Sequence, residues 1–319
     1  INVKGIFFNS LGEQQLAANV YGPSIWAKNI VVGEGITFEK RKINELPHNL
    51  LGKKFLLCLG RRCNEKNTNL LVDKFTEFKN SNPNSDLTLV LAGPGEHVYY
   101  GKEVIDLGLV TEHAKNALLN NCKSLIQPST NESFSRVIFE AWNYKKPVIV
   151  NQNCLATAHE VKESKGGYTV NSNWSKAFTV VEKAKHSTLT KLGNNGDLYR
   201  KNHYTWAKVI NKYKSVFIDY QKEITSNKNS SKVIYQILPN LAYGDAVSNE
   251  AIHLHKLFLK NNFKSIILVR KDHIDNRVSK YCKHVEKFKI KDNSIVIYHY
   301  SIGSELNDLV IKTKAKRII

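Results

Sequence analysis

An α/β fold, doubly wound around a Rossmann-like parallel sheet and followed by a second, incomplete Rossmann-like segment, is predicted from three observations. Short apolar runs alternate with helical patterns from Lys54 to Val170, the rhythm of βα units. The polar turns that carry Arg61, Gly93, Val110 and Glu132 fall at or just beyond the carboxyl ends of such runs, where open α/β sheets bind ligands. After the polar stretch Thr225–Lys232 the pattern restarts at Val233.

In chain order, the first thirty or so residues read as a strand (Lys4–Phe8), a helix (Glu13–Val20), a turn at Tyr21-Gly22-Pro23 and a strand from Asn29 into Gly33-Glu34-Gly35, a hinge candidate. Strands are expected at Phe55–Leu59, Leu87–Ala92, Ser124–Gln127 and Val148–Val150. Helices are expected over 69–79, 96–106, 112–121 and 133–144, then through 174–222, where Trp174, Phe178, Tyr204, Trp206 and Tyr213 are spaced as core contacts. The last segment reads as strand Val233–Leu238, a loop through Tyr243-Gly244-Asp245, helix Ala246–Lys260, and strands Ser265–Val269 and Ser294–Tyr298. His299 to Gly303 then precedes a helix Glu305–Lys312 and a strand Arg317–Ile319.

The chemistry concentrates in Gln127 to Glu140. An apolar strand enters a polar turn that opens a helix, with Glu132 at its mouth and Glu140 two turns in. A rise of about 1.5 Å per residue separates those carboxylates by roughly 12 Å along the axis, and both address one side. The N–H groups of Ser133, Phe134 and Ser135 would then sit at the positive end of the helix dipole, a site for phosphate. Carboxylates flanking a phosphate site suit a diphosphate with hydroxyls at both ends, as in a nucleotide-sugar. Taken singly, Glu132 is equally a helix-end charge and Glu140 a solvated side chain. The second element is Gly60-Arg61 with Lys66, which follows the Phe55–Leu59 strand and supplies cations to the same diphosphate.

Gly60-Arg61 with Lys66, Ala92-Gly93-Pro94-Gly95, Pro128-Ser129 and Glu132 to Glu140 occur in the order seen in retaining glycosyltransferases of the GT-B fold, family 4 type, and the chain resembles that family from Ile30 to Phe217. The resemblance implies transfer of a sugar from a UDP-, GDP- or dTDP-linked donor to a saccharide or lipid-linked saccharide, in bacterial surface polysaccharide synthesis. It implies that Arg61 and Lys66 neutralise the diphosphate and that Glu132 holds the transferred sugar. Glu140 would bind the ribose and the backbone at Leu109-Val110 the base. Gly60, Gly93, Gly95, Ser133, Phe134 and Ser135 would line the donor. No cofactor or metal is implied. Ser135 departs from the family, which usually has glycine there.

By the same resemblance, residues 1–30 are the tail of an acceptor domain with its hinge and 31–222 a donor domain. Residues 223–232 are a linker and 233–319 a partial Rossmann-like N-terminal domain that starts a second unit. The chain is thus expected to be a window on a tandem enzyme, and its lack of methionine is read as the sign of a processed, excised or edited stretch. The alternative is a non-catalytic nucleotide-sugar-binding or regulatory module.

Composition narrows the partners. A net charge of +19 raises the possibility of nucleic acid, yet the lysines are dispersed and no nucleic-acid module is recognisable. Plain lysine-rich composition is the first reading of that charge, peripheral contact with an anionic membrane the second and nucleic acid the last. Five cysteines without C-x-x-C spacing fit a reducing cytoplasm, at the inner face of the membrane.

Overall fold

The computed structural model describes residues 5–21, 29–36, 46–95, 98–99, 101, 103–224, 233–292, 294–299, 306, 309–310 and 316–318. They form two compact units. One comprises Ile1–Phe8, Ala18–Gly35 and Ala207–Ile319, the other Asn9–Ala17 and Ile36–Trp206.

The chain begins with β1 (Ile6–Phe8), α1 (Leu11–Tyr21) and β2 (Asn29–Val31). Helix α1 starts two residues earlier than expected because Ser10 and Glu13 cap each other reciprocally. Ser10 Oγ accepts from the Glu13 N–H at 3.0 Å, while the Glu13 carboxylate reaches back to the Asn9 N–H at 2.7 Å. Burial raises the Glu13 pKa above the usual carboxylate value, against those backbone bonds.

Next come β3 (Lys54–Leu59), α2 (Thr68–Ser81), β4 (Leu87–Ala92), β5 (Val104–Asp106), α3 (Glu112–Asn121) and β6 (Ser124–Gln127). They are followed by α4 (Arg136–Asn143), β7 (Val148–Asn151), α5 (Leu155–Ser164), β8 (Gly167–Val170), α6 (Trp174–Lys183) and α7 (His186–His203). All six strands are parallel, in the order β5-β4-β3-β6-β7-β8. The winding reverses between β3 and β6, so their carboxyl ends flank a crevice of the kind that holds ligands in doubly wound sheets. Apolar side chains bury on both faces. Phe55, Leu57, Val90 and Leu125 join Phe139 and Trp142 on one side, while Leu56, Leu89, Ile126 and Ile149 join Phe75 and Phe178 on the other.

The chain continues through α8 (Trp206–Ile224), β9 (Val233–Leu238), α9 (Ala246–Lys260), β10 (Lys264–Val269), β11 (Cys282–His284), β12 (Ile295–Tyr298) and β13 (Lys316–Ile318). This second parallel sheet runs β11-β10-β9-β12-β13, and β1 and β2 form a separate parallel pair. Val32, with Phe7 and Ile30 against it, shares a core with Val209 and Tyr213 of α8 and with Ile234, Leu254 and Ile295. The opening residues therefore group with the last third of the chain, a grouping that differs from the linear boundaries drawn above. Apolar faces far apart in sequence bury together.

The α/β fold with parallel, doubly wound sheets is as expected, with specific corrections. Of the helix expected over 96–106, the described residues 98–99, 101 and 103 are not helical and Val104–Asp106 is strand β5, held by pairing with β4 from Leu89 to Leu91, while 96, 97, 100 and 102 lie outside the described residues. The helix expected from Ser133 begins at Arg136. Helix α5 and strands β8 and β11 were not anticipated. The turn at Gly22-Pro23, the stretch 225–232, residues 300–305 and most of the helix expected over 305–312 lie outside the described residues.

Candidate functional site

Three loops at the carboxyl ends of β3, β4 and β6 converge in the second unit. The β3 and β4 loops meet backbone to backbone. Gly93 has φ +140°, and a Cβ there would lie 1.9 Å from the Gly60 carbonyl oxygen, so no other residue fits without moving the β3 end. Arg62 closes this junction. Its N–H donates to Pro94 O at 2.7 Å and its Nε to Gly93 O at 3.1 Å, and it bridges to Gly95. Its guanidinium forms an ion pair with Asp106, the two side chains being 6% and 2% exposed. The Asp106 carboxylate also accepts the N–H groups of Tyr99 at 3.0 Å and Gly108 at 2.9 Å.

The β3 and β6 loops are tied in turn. Asn67 Nδ2 and Asn151 Nδ2 donate to Pro128 O at 3.2 and 3.1 Å, and the buried Ser129 Oγ lies within hydrogen-bonding distance of Asn131 O and Glu65 O. This brings Lys66 against Glu132: Nζ stands 2.6 Å from Oε1, with the side chains 29% and 10% exposed. Gln127 Nε2 donates to the same Glu132 oxygen at 3.2 Å and to Ser135 Oγ at 3.1 Å. A cation and a carboxylate, 66 residues apart in sequence, thus sit together at the switch point.

The loop between Glu132 and α4 is not helical. Phe134 is buried and stacks on Phe139 with centroids 4.5 Å apart, pulling the chain inward before the helix starts. Ser135 occupies the N-cap with φ +66°, the left-handed region that glycine adopts without strain. Ser133 is exposed, and its carbonyl accepts from Ser10 Oγ at 2.7 Å. The positive end of α4 therefore lies at Arg136 and Val137 rather than at Ser133–Ser135, and Glu132 precedes the helix instead of riding on it. The roughly 12 Å axial separation drawn from one continuous helix does not apply.

Glu140 lies within α4, as expected. Its Oε1 is 3.2 Å from Lys115 Nζ on α3, and Lys115 is also 2.9 Å from Glu112 Oε2. Burial would lower the Lys115 pKa, but Glu140 and Glu112 outweigh it and the ammonium is held above its ordinary value. Leu109 is 79% exposed beyond β5, while Val110 is partly buried against the core at the head of α3. Arg61 is exposed beside Glu65, whose carboxyl is lowered first by the Cys63 thiol and its own N–H, then by Arg61 and Lys66. Gly60 and Gly95 are exposed at the loop mouth.

The structure thus brings Lys66 to Glu132 and the Gly60 turn to the Gly93–Gly95 turn. It couples Glu140 to a lysine that carried no signal in the sequence. Arg62, Asp106, Gln127 and Lys115 were all missed; only a spatial partner distinguishes each from an ordinary polar residue. Among the described residues, no group of three His, Cys, Asp or Glu side chains is arranged to hold a metal. No helix of the described residues is long and apolar enough to cross a membrane.

This geometry has relatives. Nothing among curated proteins matches the chain. Among solved structures it is similar to sucrose-phosphate synthase from Thermosynechococcus elongatus, at 15% identity and TM-score 0.53, over 71% of this chain and 60% of that one. A Staphylococcus aureus TarM variant, in complex with fondaparinux, α-GlcNAc-glycerol and UDP, aligns at 12% identity and TM-score 0.54 over 67% of this chain and 44% of TarM. Anabaena HepE, in complex with UDP and glucose, aligns at 16% identity and TM-score 0.50 over 70% of this chain and 64% of HepE. The chain accordingly spans under two thirds of the length of each of these three. They share its fold. Residues 53–181, which carry every candidate donor-site residue named above, match the family described as Glycosyl transferases group 1.

Proposed function

We propose that this chain carries the donor site of a glycosyltransferase that moves a sugar from a nucleotide-sugar to a saccharide or lipid-linked acceptor with retained configuration. The observation that carries the reading is the Lys66–Glu132 pair at the reversal of the β3–β6 winding, inside the segment that matches Glycosyl transferases group 1. Lys66 and the exposed Arg61 meet the diphosphate, whose negative charge grows as the bond to the anomeric carbon breaks. Donor binding transfers Lys66 from Glu132 to phosphate, leaving the Glu132 carboxylate, steadied by Gln127, to accept the sugar hydroxyls. Glu140 accepts from the ribose, and the backbone at Leu109 and Val110 faces the base. The acceptor oxygen bonds the anomeric carbon on the face the diphosphate leaves, and its proton departs with the diphosphate. The cations supply the charge a metal would otherwise provide, so binding in EDTA is expected to match binding without it. The charge of +19 supports peripheral contact with an anionic membrane on the cytoplasmic side.

A panel of UDP-, GDP- and dTDP-sugars, read by thermal shift and by release of nucleoside diphosphate, tests this. One donor is expected to stabilise the chain. Stabilisation without transfer, even with a complete acceptor domain supplied, would favour a binding module. For the nucleoside diphosphate, Arg61→Ala is expected to weaken affinity by about 1.5–3 kcal/mol, the range for hydrogen bonds to charged groups. Unchanged calorimetric affinity would remove Arg61 from the site.

A further inference from the structure

We propose that Lys115 is a positioning residue for the Glu140 carboxylate, and that this pairing sets the preference of the site for ribonucleotides over 2′-deoxyribonucleotides. The inference rests on the ribose role given to Glu140 above.

Lys115 stands on α3, the helix that Thr111 caps directly after Val110, its Oγ1 accepting from the Ala114 N–H at 3.2 Å. It therefore follows the loop assigned to the base and reaches sideways to α4. Its Nζ is 3.2 Å from Glu140 Oε1 and 2.9 Å from Glu112 Oε2. Lys115 and Glu140 are 18% and 20% exposed, whereas Glu112 is 58% exposed. The pair with Glu140 is thus the desolvated one. Ion pairs between fully exposed side chains hold little geometry, while a pair screened from water holds its partners in place.

The consequence for the ligand is geometric. With Oε1 engaged by the ammonium, Glu140 presents Oε2, an oxygen with two lone pairs, to a neighbouring diol. A ribose donates two hydroxyls to it and a 2′-deoxyribose one. Glutamate has several rotatable bonds, and without the ammonium it spreads over more rotamers.

Calorimetry on the full chain with UDP, GDP and their 2′-deoxy counterparts tests the proposal. The native chain is expected to prefer the ribose form by about tenfold or more, the equilibrium effect of one hydrogen bond to a charged acceptor. Lys115→Gln should remove most of that preference and Lys115→Arg should retain it. In a Glu140→Gln background, Lys115→Gln should cause no further loss, because it acts through that carboxylate. A native preference that survives Lys115→Gln, or that falls equally with and without Glu140, overturns the proposal. If Lys115→Gln fails to fold, Lys115→Met, which keeps the buried stem, carries the same expectations. A native chain that binds nucleotide without preferring ribose refutes the Glu140–Lys115 assignment alone. A folded native chain that binds no nucleotide refutes the nucleotide-sugar reading and this proposal with it.

Discussion

Replacing Arg62 by alanine is expected to destabilise the second unit by about 3–5 kcal/mol, the effect of removing one partner from a buried ion pair. Among the described residues, Asp106, 2% exposed, would keep the N–H groups of Tyr99 and Gly108 as the partners that offset a buried charge. The Gly93 carbonyl would lose its bond from the guanidinium at the same time, while the backbone bridge to Gly95 stays. The neighbouring Arg61→Ala change should leave stability within about 0.5 kcal/mol, since Arg61 is an exposed surface residue. Urea denaturation of the two variants separates them. Equal midpoints would mean that the Arg62–Asp106 pair does not fasten the β3 and β4 loops. Two consecutive arginines are thus assigned opposite work, one to ligand and one to fold.

Glu132→Gln is expected to lower transfer by about 100- to 1,000-fold, the usual effect of removing a preorganised charge from a reacting centre. Affinity for the free nucleoside diphosphate should hold or rise, because Lys66 no longer has an anionic partner 2.6 Å away competing with phosphate. Glutamine preserves the shape, and Gln127 can still bond to its carbonyl oxygen. Single-turnover transfer beside calorimetric titration reads both quantities. Equal losses in nucleotide affinity and in transfer would place Glu132 on the nucleotide rather than on the sugar.

Much of the second unit was legible because its central strands advertise themselves. The runs Phe55–Leu59, Leu87–Ala92 and Ser124–Gln127 are buried on both faces, and continuous apolarity is the signature of a parallel core strand. Edge strands lack it. Val104-Ile105-Asp106 has three residues and ends in a carboxylate, and it becomes a strand only through its partner β4. Gly167-Tyr168-Thr169-Val170 is half-exposed and begins with glycine, so pairing with β7 rather than composition defines it. The start of α4 was missed for another reason: nothing in Ser133-Phe134-Ser135 announces that Phe134 will turn inward and force Ser135 to φ +66°. The residues proposed for the site were recognised by order along the chain, which identifies Lys66 and Glu132 without saying that they touch. Their partners were invisible because Lys115, Arg62 and Gln127 look like any surface residue until the helices and strands that carry them are packed.

The central claim is that Lys66, Glu132 and Glu140 form one nucleotide-sugar site needing no metal. Calorimetric titration of the full chain in EDTA, with the nucleoside diphosphate of the donor that stabilises it best, tests this most directly. The account predicts a single saturable site that Lys66→Ala and Glu140→Gln each weaken by about tenfold or more, as expected for charge-assisted bonds. Binding that vanishes in EDTA, or that is indifferent to both substitutions, would contradict it.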